Sequence, residues 1–306
     1  MSTALLALLN LAGFAAAIAA VHGGLTGGAV WLASLVLVLL AGWLVQRLGD
    51  APGEGWRALG APLAFGAALL ALWEVLVVGL GVPMVLLPAP SAILVRMATS
   101  AHLLWQDFAQ TFLKAVLAGY VIGGAAGFAL ALLADRVPFL RRGLLPLGNL
   151  VAALPVVGIA PIMVMWFGFD WQSKAAVVVA MTFFPMLVNT VAGLAAAGAL
   201  ERDLMRSYAA SHRQTLWLLR LPAALPFIFT ALKVNAPLAL IGAIVAEFFG
   251  SPTTGMGFRI TTEAARLALD MVWAEIVVAA VAGSAFYGLV ALAERAATFW
   301  HPSVRQ

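Results

Sequence analysis

Residues 206–226 read RSYAASHRQTLWLLRLPAALP. Arg206, Arg213, Arg220 and His212 fall together here, Pro222 and Pro226 close the stretch, and the flanking chain is almost pure hydrocarbon. That contrast decides the fold class. The 306 residues are 64% hydrophobic and only 10% charged, against about 25% charged in an ordinary soluble domain. Such a chain cannot cover itself with polar surface, and the bilayer is its natural solvent. Cysteine is absent, which excludes disulfides, thiolate metal sites and cysteine nucleophiles.

A helix needs about 20 mostly apolar residues to cross the hydrocarbon core. Working outward from the polar insert, eight segments qualify: 3–21, 28–46, 62–82, 108–133, 149–168, 175–194, 225–248 and 274–294. All are expected to be helices, because lipid satisfies no backbone hydrogen bond and no segment alternates as a barrel strand does. The expectation is an all-α polytopic membrane protein of about eight spans. Segment 3–21 lacks a basic n-region and is long for a signal-peptide core, so it reads as a retained span.

Eight spans place both ends on one side. With that side cytoplasmic, eleven basic residues, among them Arg47, Arg57, Arg136, Arg141, Arg142, Arg202, Arg295 and Arg305, lie on inner segments. Arg96, Lys174, Arg259 and Arg266 lie outside, and Lys114 and Lys233 fall near span ends. The excess of positive charge inside supports cytoplasmic termini.

Residues 1–60 read as two appended spans and a linker, RLGDAPGEGWRALGAP at 47–62 being rich in Gly, Pro and charge. Residues 61–107 hold a further span and an outer amphipathic segment, 108–294 a core, and 295–306 a tail. Segment 90–104 begins with Pro90 at a helical first turn. In 256–271, Arg259, Glu263, Arg266 and Asp270 recur at helical spacing beside an apolar row, which suggests one surface helix with opposite charges at i,i+4. It suits a helix on the membrane interface or a docking surface for an external partner. Gly119, Gly123 and Gly127, four apart, predict close helix packing.

Catalytic chemistry is not legible. None of Lys114, Lys174 and Lys233 follows a glycine, so there is no Walker A loop. His22, His102, His212 and His301 are scattered, without metal-ligand spacing. No catalytic residue, metal or cofactor is expected. Glu74, Glu247 and Asn189 lie inside apolar runs, where a polar group is a functional candidate or an internal structural bond. Glu74 leans to structure, Glu247 suits either, and Asn189 is a candidate for a pathway.

Residues 195–222 should lie in the cytoplasm, with LERDLMRSYAASHRQTLWLLR at 200–220 helical, Leu204, Tyr208, Ser211, Thr215 and Leu219 on one face, and a stop at Pro222, which cannot continue an α-helix without losing a backbone bond. On physics alone it either receives force from another protein or only connects and orients spans.

The stretch DLMRSYAASHRQTLWLLRLPAALP, 203–226, resembles the EAA loop in inner-membrane permeases of binding-protein-dependent ABC importers. Asp203 stands for the family's acid, Leu204 and Met205 for its alanine pair, Ala209 for its glycine, Leu219 for its isoleucine, and Leu221 and Pro222 close the motif. An alanine where φ is positive would be strained. LPAPSAILVRM at 87–97, PIMVMWFGFDWQSKAAVVVAMTFFPMLVNTVAG at 161–193 and LIGAIVAEFFGSPTTGMGF at 240–258 resemble the branch that imports sulfonates, taurine, nitrate and thiamine or riboflavin precursors.

The resemblance implies a type I importer permease core behind two extra N-terminal spans, in the bacterial inner membrane. Two permease copies, forming a homodimer, would stand on two copies of a separate ATPase, and a periplasmic or lipid-anchored binding protein would deliver a small organic or anionic solute. No nucleic acid is involved; the other neighbour is membrane lipid. Force would enter through Asp203, Arg206, Ser207, Tyr208, Ala209, Ala210, Leu219, Leu221 and Pro222. Met163, Met165, Trp166, Phe183, Phe184, Asn189 and Glu247 would line the solute pathway. The alternative is a secondary transporter coupled to an ion gradient through Glu74 or Glu247.

Overall fold

In a computed structural model the described residues are 3–49, 60–137, 139, 143, 155–250 and 253–299. Among them every regular element is helical, as a chain without water to hydrogen-bond its backbone requires. Six helices are long and apolar enough to span a membrane, and Ala12–His22 and Val156–Phe167 add two shorter apolar stretches. Residues 50–59 of the 47–62 linker, the start of the 149–168 span, the tail beyond 299, and Arg57, Arg141, Arg142, His301 and Arg305 lie outside the described residues.

The elements are α1 (Thr3–His22), α2 (Gly28–Gly49), α3 (Gly60–Gly79), α4 (Pro90–Thr99), and α5 (Ala101–Phe108), which runs through a π-helical stretch Ala109–Val116 into α6 (Leu117–Arg136). There follow α7 (Val156–Phe167), α8 (Trp171–Ala195), α9 (Ala199–Ser207), and α10 (His212–Thr215), which runs through a second π stretch, Leu216–Arg220, into α11 (Leu221–Phe248). Two helices complete the order: α12 (Met256–Ala265) and α13 (Leu269–Ala297).

The chain divides into two units, residues 1–100 with 263–274, and residues 101–262 with 275–306. In the first, Phe14, Val21, Val30, Leu37, Ala68, Ala71 and Val75 bury their side chains in one cluster. Gly79 permits the α2–α3 approach, since a Cβ there would stand 2.7 Å from Val30 Cγ2. Pro90 opens α4 as expected. Arg96 reaches Asp270 at 2.8 Å.

In the second unit α6 packs along α8 through its glycines. A Cβ on Gly119 would stand 2.7 Å from the Ala175 carbonyl oxygen, one on Gly123 would strike the Thr182 hydroxyl, and one on Gly127 the Phe183 carbonyl. This is the close packing that their spacing predicts. The α11 helix crosses the same pair, where Asn235 is fully buried and donates to the Thr182 carbonyl at 2.8 Å. Tyr120 donates to the Leu232 carbonyl at 2.9 Å.

Three sequence expectations are corrected. Residues 256–271 are not one helix: α12 ends at Ala265 and Leu267 turns left-handed with φ 61°. The Leu267 amide bonds to Ala264 and the Ala268 amide to Glu263, a closed C-terminal cap that uses up the last carbonyls. The expected i,i+4 pairs also give way: Arg259 pairs with Asp107 and Asp270 with Arg96, both distant in sequence, while Arg266 takes Glu263 three residues back. Tertiary partners at 2.7–2.8 Å win over exposed helical neighbours.

Residues 200–220 are likewise not one helix, so Leu204, Tyr208, Ser211, Thr215 and Leu219 do not share a helical face; the chain turns between α9 and α10. The third correction concerns Pro222, which does not stop the helix: residues 212–248 run on continuously. The Leu221 amide bonds five residues back to the Leu216 carbonyl, and Pro222, next along, has no amide to place. The ladder changes pitch at the residue that would otherwise break it.

Candidate functional site

The polar insert is a helix, a tight turn and a second helix. No residue of α9 is buried, so its formation owes little to packing. It ends in a Schellman cap. Ala209 has φ 51°, its amide bonds to the Arg206 carbonyl at 2.9 Å, and the Ala210 amide bonds to the Met205 carbonyl at 2.9 Å. An L-residue in this left-handed state is strained by about 1–2 kcal/mol, which is why the position favours glycine. The next helix starts on a reciprocal box: Ser211 Oγ accepts from the Gln214 amide at 3.3 Å, and the Ser211 amide donates to Gln214 Oε1 at 2.8 Å.

Among the residues expected to carry coupling, Asp203 and Arg206 form an exposed pair at 3.1 Å, and Ser207 donates to the Leu204 carbonyl at 2.8 Å. Tyr208 is 76% exposed at the turn. Ala209 is exposed beside it and Ala210 half-buried. Leu219, Leu221 and Pro222 lie on the far arm, half-buried, about two to three turns along the continuous helix that starts at His212. The insert therefore has an exposed arm and a packed arm joined at Ala209. Leu216 on the packed arm is buried against Leu194, Ala224 and Ile228.

The residues expected along a pathway do not fall into one group. Met165 and Trp166 are 83% and 72% exposed on α7, whereas Met163 packs against Ala160, Val177 and Ala246. Phe183 and Phe184 meet edge to face at 4.9 Å beside Ala131 and Leu187. Asn189 donates to the carbonyl of Pro185 at 2.8 Å, within its own helix.

Glu247 is buried and its carboxylate is fully engaged. It accepts from Thr111 Oγ1 at 2.7 Å and from the Gly257 amide at 2.7 Å. Thr111 in turn accepts from the Met256 amide at 2.8 Å, and Asp107 accepts from the Gly255 amide and Arg259 Nε, each at 2.7 Å. These side chains fasten the start of α12. Glu74, the other acid within a span, accepts from the Ser91 amide at 2.9 Å, from Ser91 Oγ at 2.6 Å and lies 2.9 Å from His22 Nε2. Among the described residues no group of three or more His, Asp or Glu could hold a metal ion.

Sequence reasoning missed Asp107, Thr111, Ser91 and the partner of Arg220. Arg220 was legible only as a positive charge that orients the chain. It donates through Nη1 and Nη2 to both Asp135 oxygens at 2.7 and 2.6 Å, and through Nε to the Leu194 carbonyl at 3.0 Å. The one available signal was Asp135 itself, an acid at the end of a span that otherwise holds none.

A left-handed turn stands where the resemblance puts the EAA glycine, between an exposed helix and one continuous with a span. Residues 119–305 match the family of binding-protein-dependent transport system inner membrane components. The chain belongs to that family. This permease is 36% identical over 201 residues to the formylaminopyrimidine transport permease protein ThiX of Halalkalibacterium halodurans, covering 64% of the chain and 78% of that relative. It is 30% identical over 253 residues to the riboflavin transport system permease protein RibX of Chloroflexus aurantiacus, covering 81% and 92%. It is also 30% identical over 250 residues to the taurine transport system permease protein TauC of Escherichia coli, covering 78% and 89%. It is thus the permease component of an ABC importer and a multi-pass protein of the inner membrane.

Proposed function

We propose that this permease forms the translocation path for a small organic or anionic solute, handed over by a periplasmic or lipid-anchored binding protein. A separate ATPase drives it by gripping residues 203–222. The observation that carries the reading is the exposed arm: α9 buries no residue, and Tyr208 projects at a turn whose strain is spent on presenting it. The named solutes of the three relatives are all small organic molecules, which supports the solute class.

Two permease copies stand on two ATPases, with both termini cytoplasmic, and hydrolysis resides on the ATPases. Residues 108–294 form the core, with 1–60 and 61–107 as additions. Asp203, Arg206, Ser207, Tyr208, Ala209 and Ala210 make the ATPase contact; Leu219, Leu221 and Pro222 carry the motion into the span. Met163, Met165, Trp166, Phe183, Phe184, Asn189 and Glu247 line or support the pathway. Closure of the ATPases on ATP tilts the bundle between inward-open and outward-open states.

The chain has no cysteine of its own, so single-cysteine cross-linking is clean. Tyr208→Cys, expressed with its ATPase in intact cells, should cross-link to it, and a cysteine at exposed Leu133 should not. Failure of Tyr208→Cys and of every α9 position to cross-link would overturn the reading.

A further inference from the structure

Besides the apolar packing of Leu216 and Leu221, one side chain, Arg220, ties the packed arm of the insert to two other helix ends through polar bonds. Arg220 ends the π stretch, and its guanidinium reaches two other helix ends at once. Both Asp135 oxygens, in the last turn of α6, take its terminal nitrogens at 2.6 and 2.7 Å, and the Leu194 carbonyl, at the end of α8, takes Nε at 3.0 Å. The pair is well shielded, with side chains 15% and 9% exposed. A planar guanidinium is suited to this fork, which fixes direction as well as distance. The Leu194 carbonyl is one of those that a helix end leaves without an internal partner, so the arginine fills an acceptor that otherwise lacks a donor.

The surrounding backbone leaves little slack. A Cβ on Gly193 would stand 2.8 Å from Phe227 Cβ and 3.0 Å from Ala224 Cα, so α8 and α11 touch one residue from the clasp. The α6 helix has a glycine seam against α8 further along, but at this end Asp135 supplies its polar tie to the insert. The exposed arm has no comparable anchor: its salt bridge, Arg206–Asp203, is local and solvated.

We infer that the Arg220–Asp135 clasp is the joint through which movement of the insert reaches the end of α6, making Arg220 and Asp135 positioning residues for coupling. The inference rests on the proposed role of residues 203–222. Without the clasp, the insert would still be gripped, but the end of α6 would follow it only through non-directional apolar packing. Hydrolysis would then continue while the bundle responds less.

The test uses the complete transporter in proteoliposomes, permease with its ATPase and binding protein, reading solute taken up per ATP hydrolysed. Arg220→Met should lower that ratio about tenfold, the size of a typical coupling free energy, while hydrolysis itself persists. Arg220→Lys, which keeps charge but loses the fork, should fall between. If Arg220→Met does not assemble, Asp135→Asn, which keeps one acceptor oxygen, is read by the same ratio. A purely structural clasp would reduce uptake and hydrolysis together, leaving the ratio unchanged, and that result overturns the inference. Cross-linking of Tyr208→Cys to the ATPase separates the two levels. A preserved cross-link with an unchanged ratio removes only the clasp; a missing cross-link in the otherwise native chain removes the reading beneath it.

Discussion

Thr111 and Glu247 meet at 2.7 Å, hydroxyl to carboxylate, across 136 positions of sequence. The same hydroxyl oxygen accepts the Met256 amide at 2.8 Å, so one side chain satisfies a buried acid and a buried backbone donor. Thr111→Val keeps the shape and removes both bonds. It should destabilise the permease by about 1–3 kcal/mol, the cost of leaving buried polar groups unpaired. Thermal unfolding of the purified protein in detergent measures this, and an unchanged midpoint would show that the triad contributes nothing.

Gly255 sits against the same acid with φ 136°. An added Cβ would stand 2.6 Å from Glu247 Oε1, besides adopting a backbone state closed to L-residues. Gly255→Ala should therefore cost more than about 2 kcal/mol, strain and overpacking together. The same unfolding experiment reads it, and a loss below about 2 kcal/mol would contradict the geometry.

Gly119 and Gly124 make a matched pair on α6. A Cβ on Gly119 would lie 2.7 Å from the Ala175 carbonyl, whereas one on Gly124 meets nothing within 4 Å. Gly119→Ala should force α6 from α8 and destabilise by about 1–3 kcal/mol. Gly124→Ala should be neutral, or stabilising by up to about 1 kcal/mol through helix propensity. Equal midpoints for the two variants would refute the seam.

Ala209 offers the opposite sign. With φ 51° it holds a position that glycine occupies at less cost. Ala209→Gly should relax the turn by about 1 kcal/mol, slowing exchange of the Ala210 amide roughly fivefold. That amide is the donor to the Met205 carbonyl, so its exchange rate reports the turn directly. Ala209→Val should accelerate it, since a β-branched residue is worse still in this state. Faster exchange in the glycine variant would show that the turn is not under strain.

Much of this protein was legible because lipid imposes a severe rule. Apolar length and the absence of any alternating segment lead to helices, and the helices found run close to the eight segments read from hydropathy. Glycines four apart on α6 announced a close approach, because only their missing side chains permit it. The motif spacing around Ala209 indicated a special backbone position, though not that alanine would accept the strain.

What the sequence by itself determined was the solvent, the helical class, the rough placement of spans and the location of the polar insert, all of which follow from local composition and period. Only the tertiary structure decided that Arg259 is joined to Asp107, 152 residues away, and Arg220 to Asp135, 85 residues away. Period and propensity are sums over neighbours in the chain, whereas a buried charge chooses its partner among groups that folding alone brings within reach.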